Sequence, residues 1–225
     1  MEHPNATQIS TQLHEITQVR NLTDSTFIIR LERNGLSFKT GQHINAGPPN
    51  SLYTREYSIY SGENDDYIEI MVKEVINGFI SPVLKQKRPG DMLKIEEPVG
   101  YFSLPRKLSS RNKLLFVATG TGISPFHSFI KTYPDLNYTL LHGIRNVEEK
   151  YEGEFYDPER YIPCTSRQKS TSSYFGRVTN YLGENPPEKG TRCYLCGNSD
   201  MIQDAYEILT QKGIPMEMIH AEVYF

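Results

Sequence analysis

The sequence has no tryptophan, only three cysteines and no long run of apolar residues. Three cysteines are too few for the disulfide framework of a small secreted domain. They are also too few for an ordinary iron–sulfur cluster, which takes about four cysteine ligands. No apolar run approaches the ~20 residues of a membrane-spanning helix, and the first ten residues lack the apolar centre of a secretory signal. We therefore expect a cytoplasmic protein with no membrane span.

Two of the cysteines, Cys193 and Cys196, have the spacing that zinc sites and redox pairs share. A zinc site needs two further ligands at matching spacing, and the sequence offers none. The pair lies in the run RCYLCG at 192–197, which is typical of a buried strand. A strand is favoured, and no metal site is expected.

The net charge also bears on which partners the protein can attract. With 27 acidic and 24 basic residues the formal net charge is -3, which gives no global attraction to nucleic acid. The 225 residues, 37% of them hydrophobic, fit one large domain or two of ordinary size. Nucleic acid is not an expected partner, and the oligomeric state is left open.

The first part of the chain has the pattern of a small antiparallel barrel. Short segments rich in β-branched and aromatic residues are separated by turn residues. These segments are STFIIRL (25–31), REYSIYS (55–61), DYIEIMV (66–72) and MLKIEEP (92–98). We predict a barrel domain over residues 1–104, with a helix near 80–86, followed by a polar linker at 105–112.

From residue 113 to 225 apolar strands alternate with helical segments, which predicts a parallel sheet with crossover helices. The predicted strands lie at 113–119, 137–143, 160–166 and 192–197. The strongest helix signal lies at 199–213, where Ser199 is a candidate N-cap and Gly213 a candidate end. The predicted fold class is a two-domain protein, an antiparallel β-barrel followed by an α/β domain.

The strongest local signal is VATGTGISPF at 117–126, where an apolar strand enters a glycine-rich turn and then a helix. Gly120 and Gly122 allow a ligand to approach the backbone, and the helix start near Ser124 and Pro125 offers free N–H groups to a pyrophosphate. The segment is neither the Gly-x-Gly-x-x-Gly fingerprint nor a P-loop with its lysine. A tight turn without a ligand is the alternative.

Two other clusters suit a flavin nucleotide. In the strand REYS (55–58), alternation places Arg55 and Tyr57 on one face, and a ring beside a guanidinium suits a flavin and its diphosphate. In NGFISP (77–82), Gly78 and Ser81 precede a helix and offer a second backbone site for phosphate. The alternatives are an ordinary exposed strand face and a simple N-cap at Ser81.

Taken in order, the motifs resemble the plant-type ferredoxin–NADP reductase family, in its bacterial form, over nearly the whole chain. The motifs that carry the resemblance are REYS (55–58), GFIS (78–81), EPVGYF (97–102), GTGISPF (120–126), HGIR (142–145), TSR (165–167), GRV (176–178), CGNSDM (196–201) and AEVYF (221–225).

The resemblance implies an FAD site in the barrel. Arg55 would bind the diphosphate, Tyr57 would stack on the isoalloxazine and Tyr224 would cover its other face. The implied FAD contacts are Arg55, Tyr57, Ser58, Gly78, Phe79, Ile80, Ser81, Tyr224 and Phe225.

It also implies an NADP site in the second domain. The implied contacts are Gly120, Thr121, Gly122, Arg145, Ser166, Arg167, Arg177, Cys196, Gly197, Asn198 and Met201. The residues implied in catalysis are Ser58, Cys196, Glu222 and Tyr224, and the nicotinamide would have to displace Tyr224 from the flavin.

Three arginines favour NADP over NAD. Arg145, Arg167 and Arg177 follow successive predicted strands, and a parallel sheet gathers such loops at one edge. Guanidinium groups are the preferred partners of a 2′-phosphate dianion. Three solvated arginines with no ligand are the alternative.

The function implied is hydride transfer between NADP(H) and FAD, with single electrons passed to or from ferredoxin or flavodoxin. Lys85, Lys87 and Arg88 are a candidate docking patch for such an acidic carrier. Two alternatives stay open: an NADH-dependent reductase component of an oxygenase, and a non-catalytic interaction module that keeps the fold.

Overall fold

The computed structural model describes residues 11–105, 107 and 112–224, which form two six-stranded sheets. Residues 106 and 108–111 of the predicted linker lie outside the described residues, and so does Phe225.

The first sheet is antiparallel, with the strand order β4-β3-β6-β1-β2-β5. Its strands are β1 (Thr11–Asn21), β2 (Thr26–Glu32), β3 (His43–Gly47), β4 (Arg55–Ser58), β5 (Tyr67–Lys73) and β6 (Met92–Glu96). A bridge between Ile59 and Ile70 joins the residue after β4 to β5, which nearly closes the sheet into a barrel. The short helix α1 (Ser81–Lys85) lies between β5 and β6 in the chain. The predicted barrel is confirmed.

The second sheet is parallel, with the order β10-β9-β8-β7-β11-β12. Its strands are β7 (Leu114–Thr119), β8 (Tyr138–Ile144), β9 (Tyr161–Thr165), β10 (Tyr174–Phe175), β11 (Arg192–Gly197) and β12 (Ile219–Val223). The helices are α2 (Ser124–Thr132), α3 (Val178–Glu184) and α4 (Ser199–Gln211). The predicted α/β arrangement is confirmed as well.

The order of the parallel strands places a topological switch point at the centre of this sheet. From β7 the chain adds β8, β9 and β10 on one side, then returns to add β11 and β12 on the other. The loops after β7 and β11 therefore diverge and leave a crevice between them. Such crevices at the carboxyl ends of strands are where open α/β sheets bind ligands.

Helix α4 begins at Ser199 as predicted, but Ser199 is not its cap. The cap is Asn198, whose side-chain oxygen accepts hydrogen bonds from the backbone N–H groups of Asp200 and Met201 at 3.1 and 3.3 Å. An asparagine oxygen satisfies two otherwise free N–H groups here, which explains why the cap lies one residue earlier. Gly213, at φ +87°, follows the end of the helix.

Ser81 does not cap α1 either. Ile80 holds the cap position without a side-chain hydrogen bond, and the Ser81 hydroxyl accepts from the backbone N–H of Val75 at 2.9 Å. The hydroxyl therefore closes the preceding loop instead of the helix.

The two domains share an apolar core. Rings from Phe102, at the end of the barrel segment, and from Phe116, Phe126, Phe129 and Tyr194 pack within one buried cluster. Aromatic side chains bury large areas and fix their neighbours' orientation through edge and stacked contacts. The position of the barrel on the sheet is therefore set by packing.

Partly buried charges cross the same interface. Glu69 of β5 is 1% exposed and pairs with two arginines of the barrel, Arg20 and Arg30. Arg20 also reaches the second domain, where its guanidinium lies 2.9 Å from a carboxylate oxygen of Glu152. The hydroxyl of Tyr60 donates to the other oxygen of Glu152 at 2.9 Å. A buried ion pair of this kind is costly to break on one side.

Glu152 adopts the left-handed backbone region, at φ +48°, which is strained for a residue with a Cβ. We expect Glu152→Ala to be less stable than Glu152→Gly by about 1 kcal/mol, since both lose the hydrogen bonds but only glycine relieves the strain. Urea unfolding of the two variants measures the difference. A glycine variant that is the less stable of the two would show that this backbone is not strained.

Candidate functional site

The crevice at the switch point is a cavity of about 510 Å³. It lies at the carboxyl ends of β7, β8, β9 and β11. The predicted nucleotide residues that line it are Gly120, Thr121, Arg145, Ser166, Arg177, Gly197, Asn198 and Met201, together with Tyr224. Gly122, Arg167 and Cys196 were predicted with them but do not line it.

The glycines around this crevice have different roles. At Gly197, φ is +131° and a Cβ would lie 2.3 Å from the hydroxyl of Thr119, so no larger residue fits. A Cβ on Gly122 would lie 2.4 Å from the carbonyl oxygen of Cys196, so Gly122 allows close packing of the turn on β11. A Cβ on Gly120 would meet nothing within 4 Å, which leaves that backbone open to a ligand.

Buried His142 of β8 supports the glycine turn at 120–122 through a hydrogen bond. Its two ring nitrogens lie 2.9 Å from the carbonyl oxygen of Gly120 and 2.9 Å from the hydroxyl of Tyr161. Burial lowers the pKa of His142 to about 4, so the ring is neutral at physiological pH. It therefore donates to the carbonyl and accepts from the phenol, which is a structural role.

The three arginines differ in position. All are exposed, and Arg145 and Arg177 line the cavity. Arg167 is held beside them by a backbone hydrogen bond from its N–H to the carbonyl of Arg145 at 2.9 Å. Two of the three guanidinium groups therefore lie on the wall of the crevice, and the third lies next to it.

Sequence reasoning missed four charged residues of the cavity. Glu149, Asp200 and Asp204 line it, and so does Lys73 from the end of β5 in the barrel. The carboxylate of Glu149 accepts from the backbone N–H of Arg145 at 2.7 Å. Asp200 and Asp204 are one helical turn apart at the start of α4, a signal that was available in the sequence. Lys73 could not be identified from the sequence, because it reaches the crevice only through the packing of the barrel on the second domain.

The four residues implied in catalysis lie together between the domains. In the parallel pairing of β11 with β12, Cys196 lies opposite Glu222. The hydroxyl of Ser58 in the barrel donates to a carboxylate oxygen of Glu222 at 2.9 Å. The backbone N–H of Tyr224 donates to the carbonyl of Gly197 at 2.8 Å, which places Tyr224 at the cavity wall.

Burial governs protonation in this candidate catalytic cluster of Ser58, Cys196, Glu222 and Tyr224. It raises the pKa of the Cys196 thiol and of the Tyr224 phenol well above their usual values, so both are protonated at neutral pH. Burial also raises the pKa of Glu222, although the hydrogen bond from Ser58 opposes that effect. Glu222 therefore keeps its proton to a higher pH than an exposed glutamate does.

The Tyr224 hydroxyl is buried, lies near the side chains of Ser58 and Cys196, and makes no hydrogen bond of good geometry among the described residues. An unpaired buried hydroxyl costs about 1–3 kcal/mol and calls for an explanation. A polar cofactor ring bound in this cleft would supply such a partner. This feature fits a site that a heterocyclic cofactor completes.

On the barrel, REYS forms strand β4 as predicted. Arg55 is exposed, Tyr57 is partly buried against the barrel core, and Ser58 is buried. Burial raises the pKa of the Tyr57 phenol to about 12. The strand thus presents an aromatic ring and an exposed guanidinium, which suit a flavin ring and its diphosphate.

The GFIS loop lies between β5 and α1. It turns through Asn77 at φ +68°, and the N–H of Gly78 donates to the carbonyl of Val75 at 2.8 Å. Ile80 is buried, whereas Phe79 is 75% exposed. A hydrogen bond closes the base of the loop, and the apolar ring of Phe79 lies in solvent.

Two family descriptions match the chain. Residues 10–104 match an oxidoreductase FAD-binding domain, and residues 116–207 match an oxidoreductase NAD-binding domain. The chain belongs to the flavin-dependent oxidoreductases that join these two domains, the ferredoxin–NADP reductase family. The predicted FAD-binding and nicotinamide-nucleotide-binding domains are confirmed.

The relatives include reductases of two kinds. The flavodoxin/ferredoxin–NADP reductase of Escherichia coli K12 is 28% identical over 218 residues, covering 84% of this chain and 86% of that protein. The toluate 1,2-dioxygenase electron transfer component of Pseudomonas putida is 26% identical over 215 residues, covering 88% of this chain but 63% of that protein.

A solved structure has the same fold. The ferredoxin NADP+ reductase from Neisseria gonorrhoeae, with bound FAD and NADP, superposes with a TM-score of 0.87 at 24% sequence identity. The match covers 96% of this chain and 99% of that one. Within the described part of the chain, no helix is long and apolar enough to cross a membrane.

The packing around Gly197 predicts a sharp mutational effect. We expect Gly197→Ala to destabilise the protein by about 1–3 kcal/mol, because the strained backbone and the contact with Thr119 force β7 and β11 apart. Dinucleotide binding should weaken too. Gly183→Ala, in α3 where a Cβ meets nothing within 4 Å, is the matched control and should be neutral or stabilising. Thermal melting with and without nucleotide tests both, and equal melting temperatures would contradict the account.

Proposed function

We propose that this protein transfers hydride between NADP(H) and a bound FAD and exchanges single electrons with ferredoxin or flavodoxin. The observation that carries the proposal is the hydrogen bond between Ser58 of the FAD-binding domain and Glu222 of the NAD-binding domain. It supports the proposal because it joins β4 of the barrel, to which we assign the flavin, to β12 beside the nucleotide crevice. FAD, when bound, supplies the hydride and one-electron chemistry, and the protein orients the partners.

The proposed work of the catalytic cluster is orientation and control of protons. Ser58 and Glu222 hold each other across the interface, and the raised pKa of Glu222 lets it retain a proton at the cleft. The neutral thiol of Cys196 presents a small, uncharged group beside them. Tyr224 fills the remaining space and excludes water until a nicotinamide ring replaces it.

The barrel residues would hold FAD. We assign the diphosphate to Arg55 and to the backbone of Gly78–Ser81, and the isoalloxazine to the ring of Tyr57. In support, Arg55 is exposed, and its one hydrogen bond among the described residues is to the adjacent carbonyl of Thr54. The domain limits proposed with this assignment are 1–104 and 113–225.

A preference for NADPH follows from the cavity wall. Arg145 and Arg177 line the crevice, with Arg167 adjacent. Guanidinium groups bind a phosphate dianion through paired, charge-assisted hydrogen bonds. The carboxylate of Glu149 is engaged by the N–H of Arg145, which reduces its repulsion of an incoming phosphate.

One observation favours a second candidate, an NADH-dependent reductase component of an oxygenase. Three carboxylates, those of Glu149, Asp200 and Asp204, line the same crevice. An acidic residue in such a site can bind the 2′-hydroxyl of NAD's ribose. The relative from P. putida is an electron transfer component of a dioxygenase. Nucleotide kinetics separate the two candidates.

An acidic carrier would dock on a basic face of this cytoplasmic enzyme. In the patch suggested by the sequence, Lys85 is already engaged with Asn21 at 3.2 Å and lies over the ring of Phe27. Arg88 is exposed and Lys87 is partly exposed. These two are therefore the better candidates for the encounter.

Arg177 provides the test of nucleotide preference. In Arg177→Ala the 2′-phosphate of NADPH would lose a charge-assisted contact of about 1.5–3 kcal/mol. KM for NADPH should therefore rise about 10- to 150-fold, whereas KM for NADH should be nearly unchanged. Steady-state kinetics with an artificial acceptor measure both. Lys212→Ala, after the far end of α4, is the control and should change neither. Equal effects on NADPH and NADH would contradict the assignment.

Tyr224 provides the test of access to the flavin. Tyr224→Ser should lower KM for NADPH and relax discrimination against NADH, because the nicotinamide half no longer competes with an aromatic ring. Turnover should fall if product release slows. Tyr224→Phe keeps the ring, loses the unpaired hydroxyl and should retain the NADPH preference. If Tyr224→Ser only lowers thermal stability and the preference is unchanged, the ring merely packs on the core.

A further inference from the structure

The connection that follows β8 is tied to the barrel at two successive residues. The hydroxyl of Tyr151, a side chain only 2% exposed, lies 3.2 Å from the hydroxyl of Thr26 in β2. The next residue is Glu152, whose carboxylate pairs with Arg20 and accepts from the hydroxyl of Tyr60. Contacts with the barrel therefore fix this part of the second domain.

The same connection begins in the nucleotide crevice. Arg145 and Glu149 line the crevice, and the carboxylate of Glu149 accepts from the backbone N–H of Arg145 at 2.7 Å. The backbone N–H of Tyr151 in turn donates to the carbonyl of Glu149 at 2.8 Å. Residues 145–152, named here the bridging segment, therefore run from the wall of the crevice to the surface of the barrel.

The bridging segment also holds the loop 167–177, which has an arginine at each end. The backbone N–H of Val147 donates to the side-chain oxygen of Gln168 at 2.8 Å. The ammonium group of Lys150 donates to the carbonyl and to the hydroxyl of Ser172, at 2.9 and 2.8 Å. The placement of all three crevice arginines thus depends on one segment.

Such placement matters for a phosphate ligand. Paired hydrogen bonds between guanidinium groups and a phosphate dianion require a defined geometry. Glu152 keeps its left-handed backbone, at φ +48°, in the middle of the barrel contacts. Strain of this kind persists only where the surrounding structure maintains it, and it is concentrated at binding sites and switch regions. The barrel contacts are therefore expected to set the position of the arginines.

We propose that Glu152, through its contacts with Arg20 and Tyr60, is a positioning residue for nucleotide specificity. It holds the bridging segment where the three arginines can bind a 2′-phosphate together. The inference rests on the proposed function, since it takes these arginines as the 2′-phosphate site. It adds residues that touch no nucleotide, two of them in the other domain.

Two nucleotides that differ only in the 2′-phosphate test the inference, 2′-phospho-5′-AMP and 5′-AMP. Their affinities for the purified full-length protein are measured by isothermal titration calorimetry, with no turnover involved. Glu152→Ala loses both barrel contacts and should bind 2′-phospho-5′-AMP about 2- to 30-fold more weakly, the range typical of coupling between distant sites. Its affinity for 5′-AMP should be unchanged. Glu152→Gln keeps the length and an acceptor oxygen, and should recover part of the loss.

Two milder variants keep the test decisive if Glu152→Ala does not fold. Tyr60→Phe and Tyr151→Phe each remove one hydroxyl from the barrel contacts and should shift the same ratio of affinities in the same direction. Tyr133→Phe is the matched control. Its hydroxyl also joins the second domain to a barrel glutamate, Glu63 at 3.4 Å, but outside the bridging segment, so neither affinity should change.

The ratio of the two affinities separates the outcomes. Equal weakening of both nucleotides in the folded variants would mean a general loss of structure and would overturn the inference. An unchanged affinity for 2′-phospho-5′-AMP in these variants would overturn it as well. Unaltered protein that binds the two nucleotides equally would instead refute the NADPH preference in the proposed function.

Discussion

The geometry of the cleft depends on how Arg20 joins the two domains. One end of its guanidinium is held by the buried carboxylate of Glu69 in the barrel, and the other by Glu152 in the second domain. Neither carboxylate is well solvated, so separation of the domains would leave a charge unpaired in a poorly hydrated interface. The hydrogen bond between Ser58 and Glu222 is a second link between the domains. Together with the aromatic packing, the two links hold the barrel against the second domain.

The general architecture could be predicted from local sequence. Strands such as 114–119 and 192–197 are continuous apolar runs because both of their faces are covered, and the turn residues between barrel strands mark their ends. The glycine turn at 120–122 was recognisable because a strand, glycines and a helix start occur together. The four members of the candidate catalytic cluster were named from the resemblance, and the structure places them next to one another.

Other features could not be predicted because they depend on tertiary contacts. Strand β1 has a largely polar sequence and forms because β2 and β6 pair with both of its edges. Lys73 reaches the nucleotide crevice only because the barrel docks there. Gly122 looked like a ligand-facing glycine, but its lack of a side chain serves the packing of the turn on Cys196. Local pattern does not distinguish a glycine that faces a ligand from one that faces a strand.

The central claim is that the two domains build one redox site, and anaerobic addition of NADPH to the purified protein tests it most directly. The account predicts a yellow protein whose flavin absorbance is bleached by NADPH within the dead time or the first seconds of mixing, with NADH slower at equal concentration. A yellow protein that neither nucleotide bleaches would show that the crevice does not deliver hydride to the flavin. A colourless protein that takes up no FAD would contradict the account altogether.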